Sequence, residues 1–186
     1  MIFAGFKELK TKRLVLRRLR QSDASDFYRF AGSEAVTRYM LWKPHKSMEE
    51  SEASIHKALI RYGEGKYYRW GISLRETDIL IGIIDLLGFS EEENSCTFAY
   101  MLSEEFWGKG YGTEALKAVF DFAFAKLELS VVEADHFGSN GASGAVMRKA
   151  GMKYIGTEPG KYEKNGIVHD APRYRITREE WEYSDS

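Results

Sequence analysis

Apolar residues recur along this chain with two different periods, and the change of period outlines its architecture. Leu14 and Leu16 alternate with Arg13, Val15 and Arg17, which predicts a first strand. Ser22-Asp23 then stands where a helix cap is expected, ahead of Phe27 and Phe30. Ser47-Met48-Glu49-Glu50 has capping-box spacing, and Ile55, Leu59 and Tyr62 follow at helical intervals until Gly63 and Gly65 stop the run. Three strand-like runs come next: Tyr67 to Leu74, Ile79 to Leu87 and Ser95 to Leu102. Their short polar connections, Arg75 to Asp78 and Ser90 to Asn94, predict an antiparallel meander.

Beyond residue 110 the period lengthens. Ala115, Leu116, Val119, Phe120, Ala123, Phe124 and Leu127 share one helical face. Ser130 to Asp135 reads as a strand, and a further helix runs from about Asn140 to a glycine stop at Gly151. Asn165-Gly166 is a strong hairpin signal between two last strand-like segments. Strand, helix, strand and helix in succession require a parallel crossover, so the expected class is α/β with a mixed sheet.

Composition narrows the setting. The 186 residues suffice for one compact domain spanning 1–186, 44% of them are apolar, and no linker, repeat or low-complexity tract interrupts the chain. A net charge of -1 offers no bulk attraction to nucleic acid or to an anionic membrane surface. No apolar run approaches the ~18 residues of a membrane span, and the first residues, Met1 to Phe6, lack the pattern of a signal peptide. These features make the cytoplasm the expected compartment. The single cysteine, Cys96, excludes an intrachain disulfide and reads as a small buried side chain. His45, His56, His136 and His169 have no metal-ligand spacing, so no metal is expected.

The most specific chemistry lies in Trp107-Gly108-Lys109-Gly110-Tyr111-Gly112, which runs from a strand into the long amphipathic helix. A helix start leaves backbone N–H groups without internal partners and carries partial positive charge. Glycines allow a ligand close approach, so the amides from Gly108 to Thr113 can converge on phosphate oxygens, with Lys109 nearby. A Walker loop is excluded because Gly110 follows Lys109, and a dinucleotide fingerprint fails at Thr113, where its third glycine belongs. A plain loop with a glycine-eased helix start stays open at this point.

The chain resembles the GNAT superfamily of acetyl-CoA-dependent N-acetyltransferases, and within it the RimJ/RimL-like branch that modifies N-terminal amines of ribosomal proteins. The resemblance is carried by Thr11-Lys12-Arg13-Leu14-Val15-Leu16-Arg17, Ala99-Tyr100-Met101-Leu102, Phe106 to Ala115, Asn140-Gly141-Ala142-Ser143, Lys149-Ala150-Gly151-Met152 and Thr177-Arg178-Glu179-Glu180-Trp181. It implies a sheet of about seven strands with a splayed parallel pair and about four flanking helices. It implies that Tyr100, Met101 and Leu102 bond the pantetheine arm and the thioester of acetyl-CoA, and that Gly108, Lys109, Gly110, Tyr111, Gly112 and Thr113 hold the diphosphate. Asn140 and Ser143 fall beside the cofactor sulfur, with Ser143 as a candidate acid for the departing thiolate and helix capping as the alternative role of both. Trp107 stands where the family has Gln or Arg, and Gly144-Ala145 where it has a bulky aliphatic residue and Arg. Arg148 and Lys149 are candidates to replace that Arg.

Some members of the branch place a glutamate just before the hairpin; here Tyr162 holds that place, with Glu163 beside it. Tyr162 is the candidate catalytic residue there, and Asp85, Asp135, His136 or a water are the other proton acceptors. Tyr39 and Trp42, with Tyr68, are candidates to line the acceptor pocket, or else core residues. The expected partner is an amine, with a protein N-terminus as the leading acceptor. A polyamine, an amino sugar or a drug, and a non-catalytic acyl-CoA-binding module, are the alternatives; the chain is expected as a monomer or a homodimer.

Overall fold

The structure is a computed structural model and describes residues 5–64 and 67–184. The opening residues 1–4 and the expected helix stop Gly65 lie outside it. In chain order the elements are β1 (Leu9–Lys10), β2 (Leu14–Arg17), α1 (Ala24–Ala31), α2 (Glu34–Thr37), α3 (Met48–Arg61), β3 (Tyr68–Leu74), β4 (Leu80–Ser90), β5 (Ser95–Leu102), α4 (Tyr111–Ala125), β6 (Val131–Asp135), α5 (Gly141–Lys149), β7 (Lys153–Lys164), β8 (Ile167–Thr177) and α6 (Arg178–Ser184).

The strands form one mixed sheet in the order β1-β2-β3-β4-β5-β6-β8-β7. Eight strands stand against the seven expected, because the two-residue β1 adds an edge too short to leave a periodic trace. The short α2 and α6 likewise raise the helix count above four. Every neighbouring pair is antiparallel except β5 and β6, which α4 joins as a crossover.

Alternation along the strands sorts side chains onto two faces. Leu14, Leu16, Trp70, Ile72, Ile84, Phe98, Val132 and Ala134 pack with α4 in one core. Leu80, Ile83 and Met101 face the opposite way and pack with Phe27 and Phe30 of α1 and Ile55 of α3 in a second.

Two expected caps are built differently. Asp23 does not cap α1 with its side chain. It closes a preceding 3-10 turn by accepting the Arg20 amide at 2.7 Å, and its carboxylate forms a bidentate ion pair with buried Arg17, both contacts 2.9 Å. At α3, Glu50 accepts the amide of Lys46 at 2.9 Å, one residue ahead of the expected Ser47. The hairpin is as expected: Asn165 and Gly166 have φ of 54° and 75°, the two left-handed residues of a type I′ turn.

Candidate active site

The site begins where the parallel pair comes apart. β5 and β6 pair only at Ser95–Val131, Cys96–Val132 and Thr97–Glu133. Beyond that point both strands continue, β5 to Leu102 and β6 to Asp135, without pairing. Backbone groups along β5 alternate in direction. The Ser103 amide bonds the Ile81 carbonyl at 2.8 Å, which assigns the odd-numbered residues to β4. Phe98, Tyr100 and Leu102 therefore direct their N–H and C=O groups into the gap. The Met101 backbone serves the β4 ladder, and its carbonyl lies against Gly82. Of the three β5 residues expected to meet the cofactor, Tyr100 and Leu102 have the right backbone direction and Met101 does not.

The glycine turn closes one end of this gap. Gly108 and Gly110 have φ of 72° and 82°, which glycine adopts without strain. Gly110 is the N-cap of α4, and its carbonyl accepts the Glu114 amide at 3.0 Å. The helix therefore offers no acceptor to the amides of Tyr111, Gly112 and Thr113. Gly112 is buried, and a Cβ there would stand 3.4 Å from both Tyr100 and Leu102. The Lys109 ammonium lies 5.5 Å from the Phe106 ring centroid, at the edge of the turn. Trp107 donates its indole N–H to the Leu102 carbonyl at 2.8 Å, tying the end of β5 to the turn. The position that lost a polar side chain thus keeps a donor.

Asn140 and Ser143 separate in role. Asn140 is the N-cap of α5 and accepts the Ser143 amide at 3.3 Å. The Ser143 hydroxyl turns instead to the Tyr100 hydroxyl, 3.5 Å away. Burial raises the pKa of the Tyr100 phenol, against a smaller lowering by the hydrogen bond it accepts from Ser143, so it stays protonated.

Gly144 has a steric reason. A Cβ there would stand 2.7 Å from His136 Nε2, 2.9 Å from the Tyr174 hydroxyl and 3.3 Å from Arg148 Nη1. His136 and Tyr174 fill the space a bulky residue would take, and Arg148 donates to Tyr174 at 2.7 Å. Arg148 is therefore held on Tyr174 by one of its guanidinium nitrogens. Gly144→Val is expected to destabilise the fold by about 1–3 kcal/mol through overpacking, read as a lower urea midpoint with an unchanged slope.

On the sheet face away from α4, the end of β6 carries a polar cluster. Asp135 accepts hydrogen bonds from the Tyr162 hydroxyl and from Lys161 Nζ, the latter at 2.7 Å. Burial and the Asp135 carboxylate push the Tyr162 phenol well above the ordinary tyrosine range. Tyr162 stacks on Phe137 with centroids 4.5 Å apart, and Tyr39 meets Phe137 at 6.2 Å. Lys164 Nζ bonds the carbonyls of Thr37 at 2.7 Å and Met40 at 2.5 Å, which fixes the segment carrying Tyr39 beside the hairpin. Trp42 leans the other way, onto His45 at 5.3 Å and the second core, and Tyr68 is core. Phe137 carries no signal in the sequence, since one aromatic after a strand reads as packing.

Other sequence candidates fall elsewhere. Asp85 is held by Arg69 through two contacts of 2.7 Å. Cys96 is buried, and its thiol is pushed up to about 12 by burial. Among the described residues, no group of three His, Cys, Asp or Glu is placed to hold a metal, and no helix is long and apolar enough to cross a membrane.

A mixed sheet whose one parallel pair opens onto a glycine-rich helix start is the architecture of an acyl-CoA N-acyltransferase. The acetyltransferase (GNAT) domain profile matches residues 13–153, and the chain belongs to that family as an N-acetyltransferase. The uncharacterized N-acetyltransferase YoaA of Bacillus subtilis (strain 168) is 30% identical over 173 residues, covering 93% of this chain and 98% of YoaA. A GNAT-family acetyltransferase from Bacillus anthracis superposes with a TM-score of 0.83 at 21% identity, over 93% of this chain and 99% of that one. A Vibrio cholerae structure provisionally named a ribosomal-protein-serine acetyltransferase gives 0.81 at 23%, over 93% and 98% of the two chains. Spermidine N-acetyltransferase from Vibrio cholerae, solved with CoA and spermine, gives 0.78 at 20%, over 92% and 99%.

Proposed function

We propose that this chain moves an acetyl group from acetyl-CoA directly onto a primary amine, with the N-terminal α-amine of a protein, in the manner of the RimJ/RimL-like branch, as acceptor. The separation of β5 from β6 beside the free amides of α4 carries this reading. It leaves an extended donor and acceptor edge for an amide-rich arm and an anion cradle at its end. Gly108 to Thr113 would hold the diphosphate, and Tyr100 and Leu102 the pantetheine. Acetyl-CoA supplies the activated acyl group as a thioester.

The residues then divide the chemistry. A backbone N–H in the gap stabilises the oxyanion that develops as the amine adds. Ser143, hydrogen-bonded to the Tyr100 hydroxyl, protonates the departing thiolate and recovers a proton from solvent. Tyr162 accepts a proton from the amine as its own passes to Asp135. An α-amine, with an unperturbed pKa near ~7.7–8.0, needs only this modest help, whereas a lysine amine near ~10.4 needs a stronger base.

The charge of the acceptor face favours an α-amine over a polyamine. Four carboxylates there already have cationic partners: Asp85 has Arg69, Glu133 has Arg173 and Arg175, and Asp135 and Glu158 share Lys161. A polycation would have to displace these pairs. The test is release of CoA thiol from acetyl-CoA with peptides bearing free N-termini, blocked peptides containing lysine, and spermidine. Turnover is expected with free N-termini first. Equal or faster turnover of spermidine contradicts the acceptor class, and tight acetyl-CoA binding without turnover on any amine contradicts catalysis. Ser143→Ala is expected to lower kcat roughly tenfold with little change in acetyl-CoA affinity. An unchanged kcat removes Ser143 from the mechanism.

A further inference from the structure

Thr11 and Arg13, at the entrance to β2, reach 103 and 101 residues along the chain to Glu114 in the first turn of α4. Thr11 Oγ1 donates to Glu114 Oε1 at 2.6 Å, the Arg13 amide donates to the same oxygen at 2.8 Å, and Arg13 Nε donates to Oε2 at 2.6 Å. The rest of the guanidinium lies on the glycine turn. Its Nη1 donates to the Lys109 carbonyl at 3.0 Å, and its carbon sits 4.3 Å from the Tyr111 ring centroid. Its Nη2 is 3.4 Å from the point a Cβ on Gly110 would occupy.

This arrangement has two physical consequences. In a trans peptide the C=O and the following N–H point in opposite directions. Anchoring the Lys109 oxygen therefore aims the Gly110 N–H away from Arg13, to the ligand side of the turn. Glu114 is also an acid in the first turn of the very helix whose start is to receive an anion. That placement suits the helix dipole but repels a phosphate. Burial works against the charged form of Glu114, yet the hydrogen bonds from Thr11 and Arg13 hold its pKa below the ordinary glutamate value. The carboxylate is therefore ionised, and Arg13 is the cation that cancels it.

We propose that Arg13 is a positioning residue for the cofactor's diphosphate, setting the direction of the turn's amides through Lys109 and neutralising Glu114 beside them. The proposal rests on the acetyl-CoA reading above. Its fork geometry is essential, because one ammonium cannot bond Glu114 and the Lys109 carbonyl in the same way.

The experiment compares kcat/KM for acetyl-CoA with kcat/KM for S-acetylpantetheine, a thioester without the diphosphate. In Arg13→Ala the preference for acetyl-CoA is expected to fall roughly tenfold. A merely structural role would lower both values together, and an unchanged ratio overturns the proposal. Arg13→Lys keeps the charge but not the fork, and is expected to recover less than half of the lost preference on a logarithmic scale. Full recovery overturns the positioning role. A wild-type protein that turns over both thioesters equally well would instead remove the phosphate turn itself, and with it the reading on which this proposal stands.

Discussion

Asp135→Asn is expected to lower kcat roughly a hundredfold while leaving KM for acetyl-CoA within about twofold. The reason lies in the register. Glu133 is the last β6 residue paired with β5, opposite Thr97, so Asp135 lies level with Ala99. That is between Phe98 and Tyr100, whose backbone groups face the gap. Val132 and Ala134 are in the core beneath α4, so Asp135 points to the other face, where an acceptor can approach. There it accepts a hydrogen bond from the Tyr162 hydroxyl, and the phenolic oxygen keeps a lone pair, which the proposed mechanism assigns to the amine. Asparagine preserves the shape and removes the negative charge that draws the proton along this path. Tyr162→Phe is expected to lose less, roughly tenfold, since a water can bridge the amine to Asp135. A kcat for Asp135→Asn within about threefold of wild type would take Asp135 off the proton path.

Gly110→Val is expected to weaken CoA binding at least tenfold. A β-branched residue at a φ of 82° is strained by about 1–3 kcal/mol, and its Cβ would press on Arg13 at 3.4 Å. Relief of that strain rotates the peptides whose amides are to meet the diphosphate. Gly166→Ala supplies the control: it places a side chain at a φ of 75°, but at a hairpin tip with open space around it. It should lower stability without altering CoA affinity. Calorimetric titration with CoA, well below both melting temperatures, separates the two effects. Equal affinity of the Gly110 variant and the wild type would sink the phosphate-turn reading.

The parts legible in the sequence are those where one period dominates. β3, β4 and β5 show as apolar runs between polar turns because both of their faces meet a core, and α4 carries a continuous apolar stripe where it packs on one of them. β7 was visible only as a segment beside a hairpin. Its residues are mostly exposed, so alternation has little to act on, and its pairing with β8 shifts register twice. β1 and α2 are too short for any period to show.

The site divides in the same way. The glycine turn was legible because its chemistry depends on backbone conformation, which glycine spacing announces directly. Asp135 was one of several proton-acceptor candidates, and nothing local marked it out. Its bond to Tyr162 spans 27 residues and depends on β8 lying between β6 and β7, with an irregular register from Glu158 to Tyr162. Trp107 looked like a departure from the family pattern until its indole was seen on the Leu102 carbonyl. Arg13 lies in an alternating strand pattern, and only the tertiary fold brings it onto the turn.

The central claim is that the opened edge of β5 and the glycine turn form one site for coenzyme A. It is tested most directly by titrating CoA into isotope-labelled protein and following backbone amide resonances. The account predicts that the amides of Gly108 to Thr113 and those of Tyr100 and Leu102 shift together, with one dissociation constant. CoA that binds while leaving both sets unmoved would contradict it.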